Sequence, residues 1–302
     1  MQINAANLTA LYQSLRVVFV DAMQGATPQS DSISMRVRSN SAVEIYHWLA
    51  ALPGMREFIG KADIANAGAT KWQIANKKWH DTLGLKKEDI ERDNLGFYNP
   101  LMASIGVAAA EHPDELIADL LLNGFTQKDY TGKNFFDTDK KHNPDDSKAG
   151  VFTNKGTKKL AANTYSDAKA AFKALKNGAG RPMGLGRKLQ LVVSPAYEDT
   201  AKQILKAGTV TTGGTNIQQD TAELVVFNRL GDSPKWFLME AGLPFRSIIL
   251  QDEVPVKLQS LTRLDDSYVL LNDEFLFQAY GRYNAGYGLP QLAWGSTGAD
   301  AA

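Results

Sequence analysis

An α+β fold is what this sequence predicts, and three patterns point there. Apolar residues at three- and four-residue steps mark helices near the N-terminus and between about 101 and 121. Two other regions, near 72–85 and 275–285, alternate with period two, and from about 163 to 244 short apolar strands take turns with helical segments. At 302 residues the chain is long enough for one large or two ordinary domains.

The first helix carries Leu8, Leu11, Leu15, Val18, Phe19 and Ala22 on one face, with Asn7 placed to cap it. Gln24 to Asn40 is polar, contains Gly25 and Pro28, and reads as an arm lying on something else; about 17 extended residues would reach roughly 55 Å. Ser41 with Glu44 forms a capping box for a short helix carrying Tyr46, Trp48 and Leu49, which stops at Pro53-Gly54. Between Ala69 and Ile90 the alternation predicts a β-hairpin, with Trp72 and Ile74 on one face and Trp79, Leu83 and Leu85 on another, Asp81 interrupting. An isolated hairpin is marginal in water, and each buried Trp is worth about 5 kcal/mol at about 25 cal/mol per Å². These rings need a partner surface. Trp72, Ile74, Trp79 and Leu83 are therefore the expected contacts with another copy.

Asn99-Pro100 predicts the start of the longest helix, with Leu101, Ile105, Ala108, Ala109, Leu116, Leu120 and Leu121 in its stripe and Asn123-Gly124 at its end. Pro113 makes it either one kinked helix or two stacked ones. Asp129 to Lys159 reads as a short hairpin and a mobile polar loop. In the α/β lobe, Thr164 and Asp167 start a helix through Phe172 and Leu175, Leu189–Val193 is a buried strand, Ser194-Pro195 caps a helix through Ile204, and Leu224–Phe227 is a second core strand. The last part is strand-rich again: Val254, Val256 and Leu258 alternate, Val269–Leu271 is apolar, and Phe275 to Ala285 alternate over a long span.

Composition narrows the function. Hydrophobic residues make up 44% and charged residues 22%, as in a folded globular protein. Lys plus Arg and Asp plus Glu are 33 each, so no global basic footprint exists for tight nucleic-acid binding. Zero net charge also removes the repulsion that keeps copies apart, which suits self-association. The absence of cysteine excludes disulfides, thiolate catalysis and Cys-based zinc sites. Met1–Ala10 shows no signal-peptide pattern, and no run approaches the roughly 18 apolar residues of a membrane span. The expectation is a protein that is intracellular when made.

Candidate chemistry is thin. His47, His80, His112 and His142 form no close metal pair, and His142-Asn143-Pro144-Asp145-Asp146 reads better as a solvated loop than as a cation site. The glycine clusters Gly178–Lys188 and Gly208–Asn216 fit no phosphate-loop pattern, and the first precedes its strand where a phosphate loop would follow one. Ser194 lacks a nucleophile elbow, Asp265-Asp266 and Glu88/Glu91 share no evident cleft, and Tyr280, Tyr283 and Tyr287 suit packing or subunit contact better than base stacking. No catalytic, cofactor-binding or metal-ligating residue is assigned.

Several strings, in order, resemble the Mu-like prophage major head subunit family. They are Tyr46-His47-Trp48-Leu49 through Pro53-Gly54-Met55-Arg56-Glu57-Phe58-Ile59-Gly60; Asp89 to Gly96; His112-Pro113-Asp114-Glu115-Leu116 with Asn123-Gly124-Phe125; and the turn Tyr130 to Asp139. The resemblance is strongest over 46–139. Lys140-Lys141-His142-Asn143-Pro144 departs from the family's histidine–proline pair after the turn. What it implies is the Hong Kong ninety-seven type capsid fold of tailed phages and herpesviruses: an N-terminal arm over 1–60, an extended loop over 61–96, a peripheral domain with spine helix over 97–160 and 245–302, and an axial domain over 161–244.

The function implied is a non-enzymatic major capsid protein of the virion, assembled in the host bacterial cytoplasm. Its hexamers and pentamers would form an icosahedral shell around double-stranded DNA, contacted non-specifically at most. Implied partners are further copies, a separate scaffolding protein (the N-terminus being too short for a fused one), a portal and decoration proteins, with no membrane. The rivals are an enzyme holding a phosphorylated ligand on Gly178–Lys188, and another phage component such as a portal, tube or decoration protein.

Overall fold

The computed structural model describes residues 2–46, 72–92, 95–142, 150–176, 182–209 and 214–300. Its first half contains α1 (Ala5–Gly25), α2 (Ser30–Ile33), β1 (Met35–Arg38), β2 (Val43–Ile45), β3 (Gln73–Ala75), β4 (Lys77–Lys86), α3 (Lys87–Glu91), α4 (Tyr98–Asn123), β5 (Lys140–Lys141) and β6 (Val151–Phe152). The second contains β7 (Lys155–Gly156), α5 (Ala162–Lys173), β8 (Leu189–Val193), α6 (Glu198–Leu205), β9 (Glu223–Val226), β10 (Trp236–Glu240), β11 (Ile248–Leu261), α7 (Ser267–Asn272), β12 (Glu274–Tyr287) and β13 (Ala293–Ser296).

Two sheets organise these elements. The first has the order β1-β11-β12-β4, with β1 parallel to β11 and the other pairs antiparallel. Its long members, β11 and β12, have 14 residues each, a span of roughly 45 Å. On β12 the predicted alternation holds: Phe275, Phe277, Ala279, Gly281, Tyr283 and Ala285 are all buried on one face. Helices α1 and α4 cover the sheet, and Leu8, Leu11, Leu15 and Phe19 of α1 join Met102, Leu85, Phe275 and Phe277 in one cluster. The two helices approach to backbone contact at Gly106, where a Cβ would lie 2.5 Å from the Phe19 carbonyl oxygen. Only glycine fits there.

The second sheet runs β7-β13-β10-β8-β9. Strand β8 is buried along its whole length, as a central strand covered on both faces must be. Phe135 and Phe136 together link the two sheets: Phe136 lies 4.9 Å from Phe125 and 5.4 Å from Phe237 of β10 between ring centres, while Phe135 stacks on Tyr287 of β12 at 4.3 Å. Residues 155–156 and 293–296, expected in the peripheral part, are strands of this sheet beside residues expected in the axial part. The chain ranges thus cut across the hydrogen-bonded layers.

Several local expectations are corrected. Asn4, not Asn7, caps α1, its side chain accepting the Asn7 N–H at 2.8 Å. Thr164 sits inside α5 with its hydroxyl on the Ala161 N–H. The arm at Gln24–Asn40 does not leave the subunit: Asp114 accepts the N–H groups of Gln29 and Ser30 at 2.9 and 2.8 Å, and β1 pairs with β11. The predicted helix after Ser41 is strand β2 as far as Ile45; its remainder, with Trp48 and Leu49, lies outside the described residues. Glu44 does reach back to backbone, taking the Asn40 N–H and the Ser39 hydroxyl, both at 3.0 Å. Pairing with β3 overrides the helical preference.

The expected hairpin does not form, because β3 pairs with β2 and β4 with β12. Asn76, between them, bonds Ser39, Ser41 and Gln251 and so turns the chain from one partner to the other. Helix α4 is continuous through Pro113; its 26 residues span about 39 Å.

Candidate functional site

The first glycine cluster, which fits no phosphate-loop pattern, nevertheless forms an anion cradle. The described part of Gly178–Lys188 turns its backbone N–H groups inward, aided by positive φ at Gly184 and Gly186. What they hold is Glu240, from the end of β10. Its carboxylate accepts from the N–H groups of Gly186, Arg187 (3.2 Å), Lys188 (3.1 Å) and Gly242 (2.7 Å), and it is buried. The amides that a phosphate would need are spent on the chain's own carboxylate. In the second cluster, Asn216 donates to the carbonyls of Ile204 and Ala207 at 2.8 Å, closing the C-terminal end of α6.

The other candidates are likewise consumed. Ser194 is buried and its hydroxyl donates to the Ser233 carbonyl at 2.8 Å instead of capping a helix. Asp266 caps α7, and Glu88 pairs with Arg92 on an exposed helix face. Tyr287 donates to the Leu120 carbonyl at 2.8 Å and pins the end of α4 to β12. His142 stacks on Phe152 with ring centres 5.0 Å apart, and residues 143–149 lie outside the described residues. Among the described residues no group of His, Asp and Glu is placed to hold a metal ion, and no helix is long and apolar enough to cross a membrane.

One histidine is built into the seam between α4 and the first sheet. His112 Nδ1 lies 2.9 Å from the Tyr283 hydroxyl, and its ring centre is 4.3 Å from that of Trp79. Trp79 Nε1 in turn donates to the Tyr283 carbonyl at 2.9 Å. Burial holds His112 below the ordinary imidazole value; Glu115 opposes that and Arg229 adds to it. A depressed folded value means that the unfolded chain takes up the proton first. The stability contributed is complete above the ordinary value, about 6.5, and is lost as pH falls from there through the folded value. Denaturation midpoints are expected to drop between about pH 7 and pH 5, and His112→Phe to flatten that slope. Burial depresses His142 as well, so part of the slope survives in the variant. An unchanged slope would exclude His112 as its source.

The four expected contact residues divide. Ile74 is 4% exposed and covered by its own chain, its methyl groups lying over Gly286. Trp72, Trp79 and Leu83 are half-buried at the margins of the core clusters. Sequence reasoning missed several exposed apolar side chains, among them Val43 and Ile45 on the outer face of β2, Phe97 ahead of α4, Ile217, and Leu270 and Leu271 on α7. Their only signal is apolarity without a regular period, which short elements and loops cannot display.

The family model described as Mu-like prophage major head subunit gpT matches residues 8–159, 152–230 and 228–300. The chain belongs to that family. The match extends well beyond residues 46–139, where the string resemblance was strongest. The chain is 29% identical over 293 residues to the major capsid protein of Escherichia phage Mu, covering 97% of this chain and 74% of that one. It superposes on a subunit of the bacteriophage JBD30 procapsid with a TM-score of 0.63 and 28% identity, over 98% of this chain and 76% of that one. A capsid of JBD30 decorated with minor capsid protein trimers gives 0.53 and 22%, over 91% and 66%, a likeness of fold. The Mu-like head subunit is thus of the Hong Kong ninety-seven type. It is a structural, non-enzymatic component of the virion that assembles with itself into an icosahedral shell. That answers the enzyme reading of this glycine cluster, in which the amides of Gly186, Arg187 and Lys188 already hold Glu240.

Proposed function

We propose that this head subunit forms hexamers and pentamers that tile a shell around double-stranded DNA. A separate scaffolding protein guides closure, with a portal at one vertex, decoration proteins outside and only non-specific contact with the packaged DNA. The observation that carries the reading is the placement of uncovered apolar side chains. Val43 and Ile45 lie on the β2–β3 ribbon, which packs beside the Gly286 end of β12, whereas Leu270 and Leu271 lie on α7 next to its Glu274 end. A subunit with sticky ground at both ends of a roughly 45 Å sheet is suited to a lattice, where many modest contacts add up through multivalency.

Trp72, Trp79 and Leu83 supply the remaining contact through their exposed edges, while Ile74 acts from inside by seating the ribbon. Decoration has a parallel in the JBD30 capsid, which carries minor capsid protein trimers. The test is electron microscopy of the purified chain with scaffolding protein supplied. Five- and six-membered rings and closed shells are expected. A well-folded species that stays monomeric at high concentration would count against the proposal, as would a ring of one fixed order or a helical tube.

A further inference from the structure

Asp129 and Lys140 meet in the interior, among groups that suit the formation of an amide. Both side chains are fully buried, with Lys140 Nζ 2.5 Å from Asp129 Oδ2. The other carboxylate oxygen, Oδ1, accepts the Thr131 N–H at 2.8 Å and the Thr131 hydroxyl at 2.5 Å. The Asn134 and Phe135 carbonyls take the remaining ammonium protons, and the Phe135 and Phe152 ring centres lie 5.5 and 5.7 Å from the nitrogen. Neither residue is free to swing away. The Asp129 N–H donates to the Lys133 carbonyl at 2.9 Å, closing a tight turn, and Lys140 is held by the pairing of β5 with β6. Burial favours the uncharged form of each group, against the pull of its partner's charge. An uncharged amine beside a carboxylic acid is a nucleophile held against its electrophile.

We propose that the Asp129 carboxyl and the Lys140 amine condense to an amide, a covalent bond within the subunit that forms after the chain has folded. The freshly folded chain holds the ion pair, and the amide follows from it. One ammonium proton passes to Oδ2, leaving a neutral amine and a carboxylic acid. Nζ then attacks Cγ, and the carbonyl electron pair moves onto Oδ1, where the two Thr131 donors stabilise the negative charge. A second nitrogen proton passes to Oδ2, which departs as water with the electrons of its bond to Cγ. The third proton stays on nitrogen as the amide N–H. No oxidant or co-reactant is required, and a site without water disfavours the reverse hydrolysis. The bond closes a ring around the turn that carries Phe135 and Phe136, which join the two sheets, so it locks that joint.

The mass of the intact chain, read at successive times after purification, tests the step. It is expected to fall by one water molecule, in unassembled subunits as well as shells, so the result does not depend on the shell reading. Trypsin should then release residues 129–133 joined to residues 134–141, since an acylated Lys140 is no longer cut. Asp129→Asn should reach the same final mass, with ammonia leaving in place of water, and Asp129→Ala should keep its full mass. Thr131→Val loses one of the two donors to Oδ1 and should form the bond about a hundredfold more slowly. A wild-type mass that never falls overturns the inference. So does a water loss confined to one peptide, as a cyclic imide would give, or one that persists in Asp129→Ala.

Discussion

Lys140→Met is expected to destabilise the subunit by about 3–5 kcal/mol, the range for breaking a buried pair by removing one partner. Lys140 and Asp129 have fully buried side chains 2.5 Å apart. The ammonium also donates to the carbonyls of Asn134 and Phe135 at 2.9 and 2.8 Å, so its three protons are all engaged. It lies 5.5 Å from the Phe135 ring centre and 5.7 Å from that of Phe152. Burial pushes Asp129 up and Lys140 down from their ordinary values, and each partner's charge opposes that. Methionine would leave Asp129 without its counter-charge and the Asn134 carbonyl without the ammonium, while the Phe135 carbonyl keeps the Asn154 amide at 2.9 Å. Urea denaturation reads the loss, and Asp129→Leu with Lys140→Met should recover most of it. A single variant within about 1 kcal/mol of wild type would show that water or rearrangement replaces the pair. Because Phe135 and Phe136 on the same turn join the two sheets, the single variant should also assemble poorly.

The second large effect is expected at Glu240. Glu240→Ala strips the acceptor from four backbone N–H groups around a buried position; at about 1–3 kcal/mol for each donor left unsatisfied, a loss of about 3 kcal/mol or more follows even if water reaches some of them. Hydrogen exchange should localise the damage, with the Gly186–Lys188 amides losing protection before the β8 amides do. Unaltered protection there would mean that the loop holds its shape without the carboxylate. Glu240→Gln keeps one acceptor oxygen and should fall between wild type and alanine.

Much of the architecture is legible in the order of residues alone. Leu8, Leu11, Leu15 and Phe19 mark a helix face because a helix repeats every 3.6 residues, and all four are buried. Phe275 to Ala285 mark one strand face because side chains alternate. The unbroken run Leu189–Val193 marks a strand covered on both sides, and it is one. The aromatic turn at 130–139, with three strings ahead of it, points to the family. Other features are not legible there, for a common reason. Ser41 and Glu44 have the spacing of a helix start, yet β2 is extended because β3, about 30 residues later, supplies its hydrogen-bond partners. Trp72 and Trp79 look like two arms of one hairpin, yet each strand pairs elsewhere. Lys140 sits in a polar stretch and Glu240 at a strand end, and neither position signals that the side chain is buried.

By itself, then, the sequence determined the types and periods of the long elements, the absence of cysteine chemistry and the family. Those follow from local geometry and from strings of adjacent residues. Only the tertiary structure decided which strands pair, where the arm lies, that a lysine–aspartate pair and a caged glutamate hold the core, and which leucines are left outside. Each of those depends on groups brought together from distant parts of the chain, where the energy of burying or satisfying a polar atom outweighs the preference of any short segment.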